Sequence, residues 1–380
     1  MARTGGPDDT GPTRARASAV LTIDLEAIKK NYRRLRQELR PVTCAVVVKA
    51  NAYGLGVARV APALAKAGAR TFFTAQFDEA LQVQSALGKT RPTADIFVLN
   101  GLAAAPIEDF NGHGLNPVLN SLGEIGAWAQ AARAAGRALP AALHVDTGMN
   151  RLGLPQNELD TLAGDPGRLK GIEVRYLMSH LACADEAAHP LNAEQLLRFE
   201  KARERLPAAP ASFANSSGIF LGADYHFDLA RPGAALYGVN PTPDRPNPMA
   251  QVIRLQGRIL QVREIDAPST VGYGASRQVP GGSRVATVAA GYADGFLRCL
   301  SDRTQASMGE RSVPLIGRVS MDLIALDVSA LPAEAARPGD FVDLIGPKQD
   351  VDALARDAGT IGYEILTSLG ARYHREYLGG

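Results

Sequence analysis

The 380-residue chain is long enough for one large and one small domain, and 46% hydrophobic with 21% charged residues is ordinary globular composition. Forty-one Lys and Arg against 39 Asp and Glu leave a formal charge of +2, which gives no electrostatic reason to expect nucleic acid or an anionic membrane as partner. Three scattered cysteines, Cys44, Cys183 and Cys299, without CxxC or Cys/His spacing, exclude a disulfide framework and argue against a metal site. No apolar run approaches the roughly 18 residues a spanning helix needs. Residues 1–17 are rich in Gly, Pro, Arg and Asp with no apolar core. They are expected to form a mobile tail rather than a targeting signal, which points to a cytoplasmic protein.

From about residue 43 to 238, short apolar runs alternate with helical patterns. The runs are 44–48, 71–74, 96–99, 117–119, 142–145, 174–178, 212–214 and a weak one before Arg231. Between them, segments such as 57–67, 78–87, 121–135 and 193–205 place apolar residues at helical spacing. Strand–helix alternation of this kind reads as βαβ units and a parallel sheet, and eight units fit a (β/α)8 barrel at its lower size limit. A doubly wound open sheet stays open as the alternative. Residues 18–240 are assigned to this domain. A Pro-rich linker, 241–250, follows (PTPDRPNP at 241–248). Residues 251–380 then form a mainly β domain, with strands at 252–265, 283–289, 313–328 and 341–345 and a helical stretch near 351–369.

The polar residues ending the apolar runs matter most, because in a barrel the C-terminal ends of all strands converge on one face. They include Lys49, Asn120, Asp146, His180, Asn215, Ser216 and Arg231. A lysine delivered by the strand VVV into the turn ANAYGLG would be desolvated, which disfavours its ammonium and frees an amine able to form a Schiff base. A solvated lysine capping a strand is the plainer alternative. The segment NSSG (215–218) suits a phosphate, or equally a helix N-cap. Arg231 suits a ring nitrogen or carboxylate, or a surface salt bridge; His180 is either structural or catalytic. The turns GYG (272–274) and GYADG (291–295) present tyrosines whose ordinary fate is amphipathic packing.

In chain order, VVKANAYGLG (47–56), HVDTGMNRLG (144–153), SHLACAD (179–185), ANSSG (214–218), RPGAALYG (231–238), VGYGAS (271–276), GYADG (291–295), GRVSMD (317–322) and GYE (362–364) together carry a family likeness. The chain resembles the alanine racemases, fold-type III enzymes dependent on pyridoxal 5′-phosphate (PLP). The resemblance implies that Lys49 holds PLP covalently and acts as one base, and that Tyr273 of the partner subunit in a head-to-tail homodimer is the other. It implies that Arg231 faces the pyridine nitrogen, with His180 hydrogen-bonded between Arg231 and Tyr273. Tyr53, Asn215, Ser216, Gly233, Ala234 and Tyr363 would surround the phosphate. Arg151 would hold the substrate carboxylate, and Tyr292, Met321 and Asp322 would enclose the substrate. The implied activity is interconversion of L- and D-alanine, supplying D-alanine for peptidoglycan. A broader amino-acid or serine racemase would share every motif, while a non-catalytic PLP carrier would lack the second domain. Three positions depart from the family pattern. Leu55 stands where a histidine is usual, Ser320 where a cysteine is frequent, and His144 where many members carry a lysine, often carbamylated, that orients Arg151. Another anion such as chloride, or a carboxylate, would then have to take over that task.

Overall fold

The computed structural model describes residues 14–88, 94–103 and 105–380. The chain divides into two compact units, one of residues Ile28–Ala250 and one combining Gln251–Gly380 with the N-terminal segment up to Ala27.

The first unit is the barrel. Residues 43–47 form its first strand in two short pieces, Thr43–Cys44 and Val46–Val47. The first piece pairs in parallel with Leu229–Ala230 and the second with Thr71–Thr74, so the sheet closes on itself. Every intervening pairing, through Asp95–Val98, Asn116–Leu119, Leu139–His144, Ile172–Met178 and Ala211–Ser212, is parallel. Closure settles the open-sheet alternative, and the eight strands fall on the eight apolar runs. The helices follow from local signals. In Leu122–Ala135 the Ser121 hydroxyl caps the Glu124 N–H (3.2 Å), Ile125, Trp128, Ala129 and Ala132 form the buried stripe, and Gly136 ends it at φ 64°.

Three glutamates stitch the loops at the C-terminal ends of the strands. Glu79 accepts from its own loop, Ala75 N at 2.8 Å, and from Ala50 N at 2.6 Å. Glu124 accepts from Asn120 N (2.6 Å) and Leu102 N (2.9 Å), and Glu158 from Leu122 N (2.8 Å). Each lies in the first turn of its helix, where the dipole favours a carboxylate, and each ties that turn to the preceding unit.

The second unit is a mainly antiparallel sheet with two helices, Val351–Ala358 and Gly362–Ser368. It contains the strand Ala19–Asp24, which pairs antiparallel with Ile253–Glu264 and parallel with His374–Leu378. Residues 18–27 therefore differ from their expected place in the barrel domain: a strand with these two partners is committed to this sheet. The helix Leu25–Leu39 then carries the chain into the barrel sequence. The Pro-rich segment 241–250 ends where the units divide, at Ala250. Of the expected tail, residues 1–13 lie outside the described residues, whereas Arg14–Arg16 form a 3-10 turn and Arg258 donates to Arg14 O (3.1 Å) and Ala17 O (2.9 Å). The single strand expected at 313–328 is two, Arg311–Ile316 and Ile324–Asp327. Gly317, at φ 74°, breaks the run, since a side chain there would meet Val271 O at 2.9 Å. The break frees 318–323 as a loop.

Candidate active site

Lys49 leaves the first barrel strand half-buried. The chain then makes one turn of left-handed helix: Ala50, Asn51, Ala52 and Tyr53 have φ of 51°, 53°, 55° and 54°. Such a conformation costs non-glycine residues roughly 1–2 kcal/mol each. Fixed partners offset it. Glu79 accepts from Ala50 N, Asn51 Oδ1 accepts from Val57 N (2.7 Å), and Gly54 N donates to Ala50 O (2.7 Å). Nothing local in the sequence signals this turn. Leu55 beneath it is fully buried, so the position usual for histidine serves packing here.

The turn brings Tyr53 against the backbone of Gly233. A methyl group built on Gly233 would lie 2.2 Å from the Tyr53 hydroxyl, so only glycine leaves room. The Tyr53 ring lies 4.7 Å from that of Tyr237, whose hydroxyl donates to Val47 O (2.9 Å). Ser216 Oγ accepts from Gly233 N (3.0 Å) and Ala235 N (3.2 Å), and Asn215 Oδ1 from Gly218 N (2.9 Å). Tyr53, Asn215, Ser216, Gly233 and Ala234 thus share one place at the barrel mouth, a cradle of small residues and backbone N–H groups of the kind that receives phosphate.

The same mouth is crowded with cationic groups. Arg231 is only 4% exposed and donates to Ser212 Oγ and to Ser179 O (2.6 Å). Burial without a carboxylate partner holds its guanidinium below the usual arginine range. Among the described residues it makes no bond to the His180 side chain, so the expected Arg231–His180 link is not formed here; its donors are taken by Ser212 and Ser179. Burial first, then Arg231, His144, Arg151 and Lys49, hold His180 well below the ordinary histidine range. Burial and Arg151 lower Lys49 likewise, against an upward pull from Glu79. A site that collects Lys49, Arg151 and Arg231 and keeps its histidines neutral is arranged for an anionic occupant. A reactive amine, a phosphate cradle and an unpaired buried guanidinium fit PLP.

The remaining expected site residues belong to the other unit. Tyr273 sits in a short 3-10 turn, 72% exposed, with the Arg318 guanidinium packed against Gly274. Met321, 54% exposed, and Asp322 lie in the loop freed at Gly317. That loop is fastened to the 291–295 turn: Tyr292 N donates to Ser320 O (3.1 Å) and Ala293 N to Met321 O (3.0 Å). Ser320 Oγ donates to Leu323 O (2.7 Å) and closes the loop. Arg372 bridges the two carboxylates, at 2.9 Å from Asp294 and 2.7 Å from Asp322. Tyr292 and Tyr363 are exposed as well. Sequence reasoning missed Arg372, Glu79 and the role of Asn120, which accepts from His144; only the position of Asn120 at a strand end marked it.

A closed barrel carrying a desolvated lysine beside a phosphate cradle, with an appended β unit, defines a barrel enzyme for a carbonyl-bearing phosphate cofactor. Residues 23–241 match the alanine racemase N-terminal domain and residues 252–377 the C-terminal domain. The chain is 55% identical over 365 residues to an alanine racemase of Rhodospirillum rubrum (96% of this chain, 97% of that protein). It is 54% identical to a catabolic alanine racemase of Mesorhizobium japonicum (96% and 95%). Its fold is similar to the crystal structure of the Bartonella henselae alanine racemase with covalently bound pyridoxal phosphate, with a TM-score of 0.91 and 44% identity over 95% of this chain and 100% of that one. The chain belongs to the alanine racemase family.

Proposed function

We propose that this chain interconverts L- and D-alanine with PLP held on Lys49, using two bases on opposite faces of the substrate. The observation that carries this is the convergence of Lys49, Arg151 and Arg231 on the cradle formed by Tyr53, Ser216 and Gly233. PLP, when bound, makes the substrate Cα–H acidic by drawing its electrons into the ring. Lys49, its ammonium disfavoured by burial, takes or returns the proton on one face; Tyr273 of the partner subunit does so on the other. Arg231 keeps its proton and donates to the ring nitrogen, which limits the ring as an electron sink and favours reprotonation over transamination. Asn215, Ala234 and Tyr363 complete the phosphate site, Arg151 binds the substrate carboxylate, and Tyr292, Met321 and Asp322 enclose the substrate.

Head-to-tail dimerisation is supported by where the exposed apolar side chains lie. Tyr273, Tyr292, Met321 and Tyr363 are all large, exposed and on the β unit, a surface that association would cover. Among the described residues no helix is long and apolar enough to cross a membrane; we place the enzyme in the cytoplasm and its D-alanine in peptidoglycan synthesis. Incubating the purified protein and PLP with L-Ala, L-Ser and other L-amino acids, and measuring each D-isomer, tests the reading. D-alanine as the dominant product is expected. Comparable D-serine would make it a broad racemase, and PLP binding without any D-isomer a carrier. Deleting the gene should create a D-alanine requirement; growth without it would overturn the cell-wall role.

A further inference from the structure

His144 ends its barrel strand, and the loop carrying Arg151 returns to it. Leu154 N donates to His144 O (2.8 Å) and Asp146 N to Leu154 O (3.0 Å). Within the loop, Asp146 Oδ1 accepts from Gly148 N and Met149 N, both at 2.9 Å, so Arg151 rides on a segment tied at both ends. Gly153, at φ 100°, completes it: a methyl there would lie 2.8 Å from Asp146 N and 3.1 Å from His144 Cδ2. The Cδ2 edge of the imidazole therefore faces the Arg151 loop.

The other edge is fixed by Asn120. Its Nδ2 donates to Val118 O (2.8 Å) and Leu99 O (3.2 Å), which leaves Oδ1, 2.8 Å from His144 Nδ1. An amide oxygen only accepts, so Nδ1 must carry a proton. The charged and titratable groups acting on the ring are Arg231, Arg151 and Asp146, with His180 nearby. Burial first, then Arg231, with Asp146 opposing, hold the ring down to about 4. A neutral ring protonated at Nδ1 has one lone pair, on Nε2, next to Cδ2 and the loop.

We propose that His144 is a positioning residue for Arg151: Asn120 fixes the Nδ1–H tautomer, and Nε2 accepts an N–H of Arg151 while that guanidinium binds the substrate carboxylate. The proposal rests on the reading of Arg151 as the carboxylate-binding residue. A neutral acceptor aims the guanidinium without cancelling its charge, whereas a fixed anion in the same place would compete with the substrate. An imidazolium would repel Arg151 and could accept nothing.

Two measurements on the holoenzyme test this. Long-range proton–nitrogen spectra of histidine-labelled protein, with His144 assigned by its loss in His144→Gln, should show a neutral, Nδ1-protonated ring from pH 8 to pH 5. An Nε2–H tautomer or an imidazolium at pH 7 would overturn the proposal. In kinetics, His144→Leu and Asn120→Leu should raise the KM for L-alanine about tenfold or more, as expected for a lost bond to a charged group, with kcat changed far less. His144→Gln, which restores an acceptor, should recover most of the loss. A KM unchanged in His144→Leu, or no rescue by glutamine, counts against it. An unchanged KM in Arg151→Gln would instead sink the Arg151 assignment, and the proposal with it, even if the tautomer is the one expected.

Discussion

The barrel and the β unit hold their expected site residues in opposite conditions. In the barrel, Arg231 is buried and bonded to Ser212 and Ser179, Ser216 accepts two backbone N–H groups, and Tyr53 is wedged against Gly233. In the β unit, Tyr273 stands 72% and Met321 54% exposed. What is fixed there is backbone, with the 318–323 loop fastened to the 291–295 turn and Arg372 bridging Asp294 and Asp322. One unit presents a finished half-site; the other presents side chains on a braced frame with nothing of their own to cover them. Catalytic groups need rotamers locked by packing. The exposed set therefore calls for a partner surface, which a head-to-tail dimer supplies.

The largest expected effect is on the finished half. Lys49→Ala should lose the visible absorbance of lysine-bound PLP and lower racemisation by about 10²–10⁴-fold, the usual range for a positioned acid–base group. A variant keeping both would remove Lys49 from the reaction. The sharper test pairs the two halves. Lys49→Ala and Tyr273→Phe are each expected to be nearly inactive. In a dimer with shared sites, one site of a mixed dimer carries both lesions and the other neither. Random reassociation should restore roughly a quarter of wild-type activity. Verified heterodimers with only parental activity would place Tyr273 within its own chain's site, or outside catalysis.

The two units also differed in how far their sequences could be read. The barrel was legible because each strand and helix carries its own local pattern, and Ser121 and Gly136 mark helix ends directly. The left-handed turn at 50–53 was not. Two of its four residues are alanines, and it is held by Glu79, 29 positions beyond Ala50. The strand Ala19–Asp24 was missed because its partners begin at Ile253 and His374, so pairing rather than local propensity decides where it belongs. Family motifs named the β-unit residues by position, but the break of 313–328 into two strands depends on the close approach of Gly317 to Val271 O. Asn120 is legible as a strand end, whereas its grip on His144 requires three carbonyl oxygens in fixed places.

A smaller effect is expected from the frame of the β unit. Arg372→Leu leaves the buried Asp294 with the Gly291 N–H (2.9 Å) but no cation, and frees Asp322. Arg372 is itself half exposed, so the loss should be about 1–2 kcal/mol, lowering the melting temperature by several degrees. Hydrogen exchange should quicken at 291–295 and 320–323 and stay unchanged around Lys49. Equal quickening in the barrel would show that the two frames are not independent.

The smallest effect is an acid sensitivity carried by the barrel mouth. His144 is held at about 4 against a model value of 6.5, and His180 is displaced in the same direction, each chiefly by burial. In the unfolded chain both imidazoles take up protons as pH falls below about 6.5, while in the folded barrel they do not. The unfolded state thus binds more protons over this interval, and stability falls with falling pH. Each ring contributes at most about 1.4 kcal/mol per pH unit, fading as pH approaches its folded value. Denaturant unfolding at pH 7.5, 6 and 5, before most carboxylates titrate, should show the decline. His144→Gln should make it shallower. An unaltered slope in that variant would mean that His144 is already protonated in the folded barrel, and the contrast between a neutral acceptor and its surrounding cations would fail.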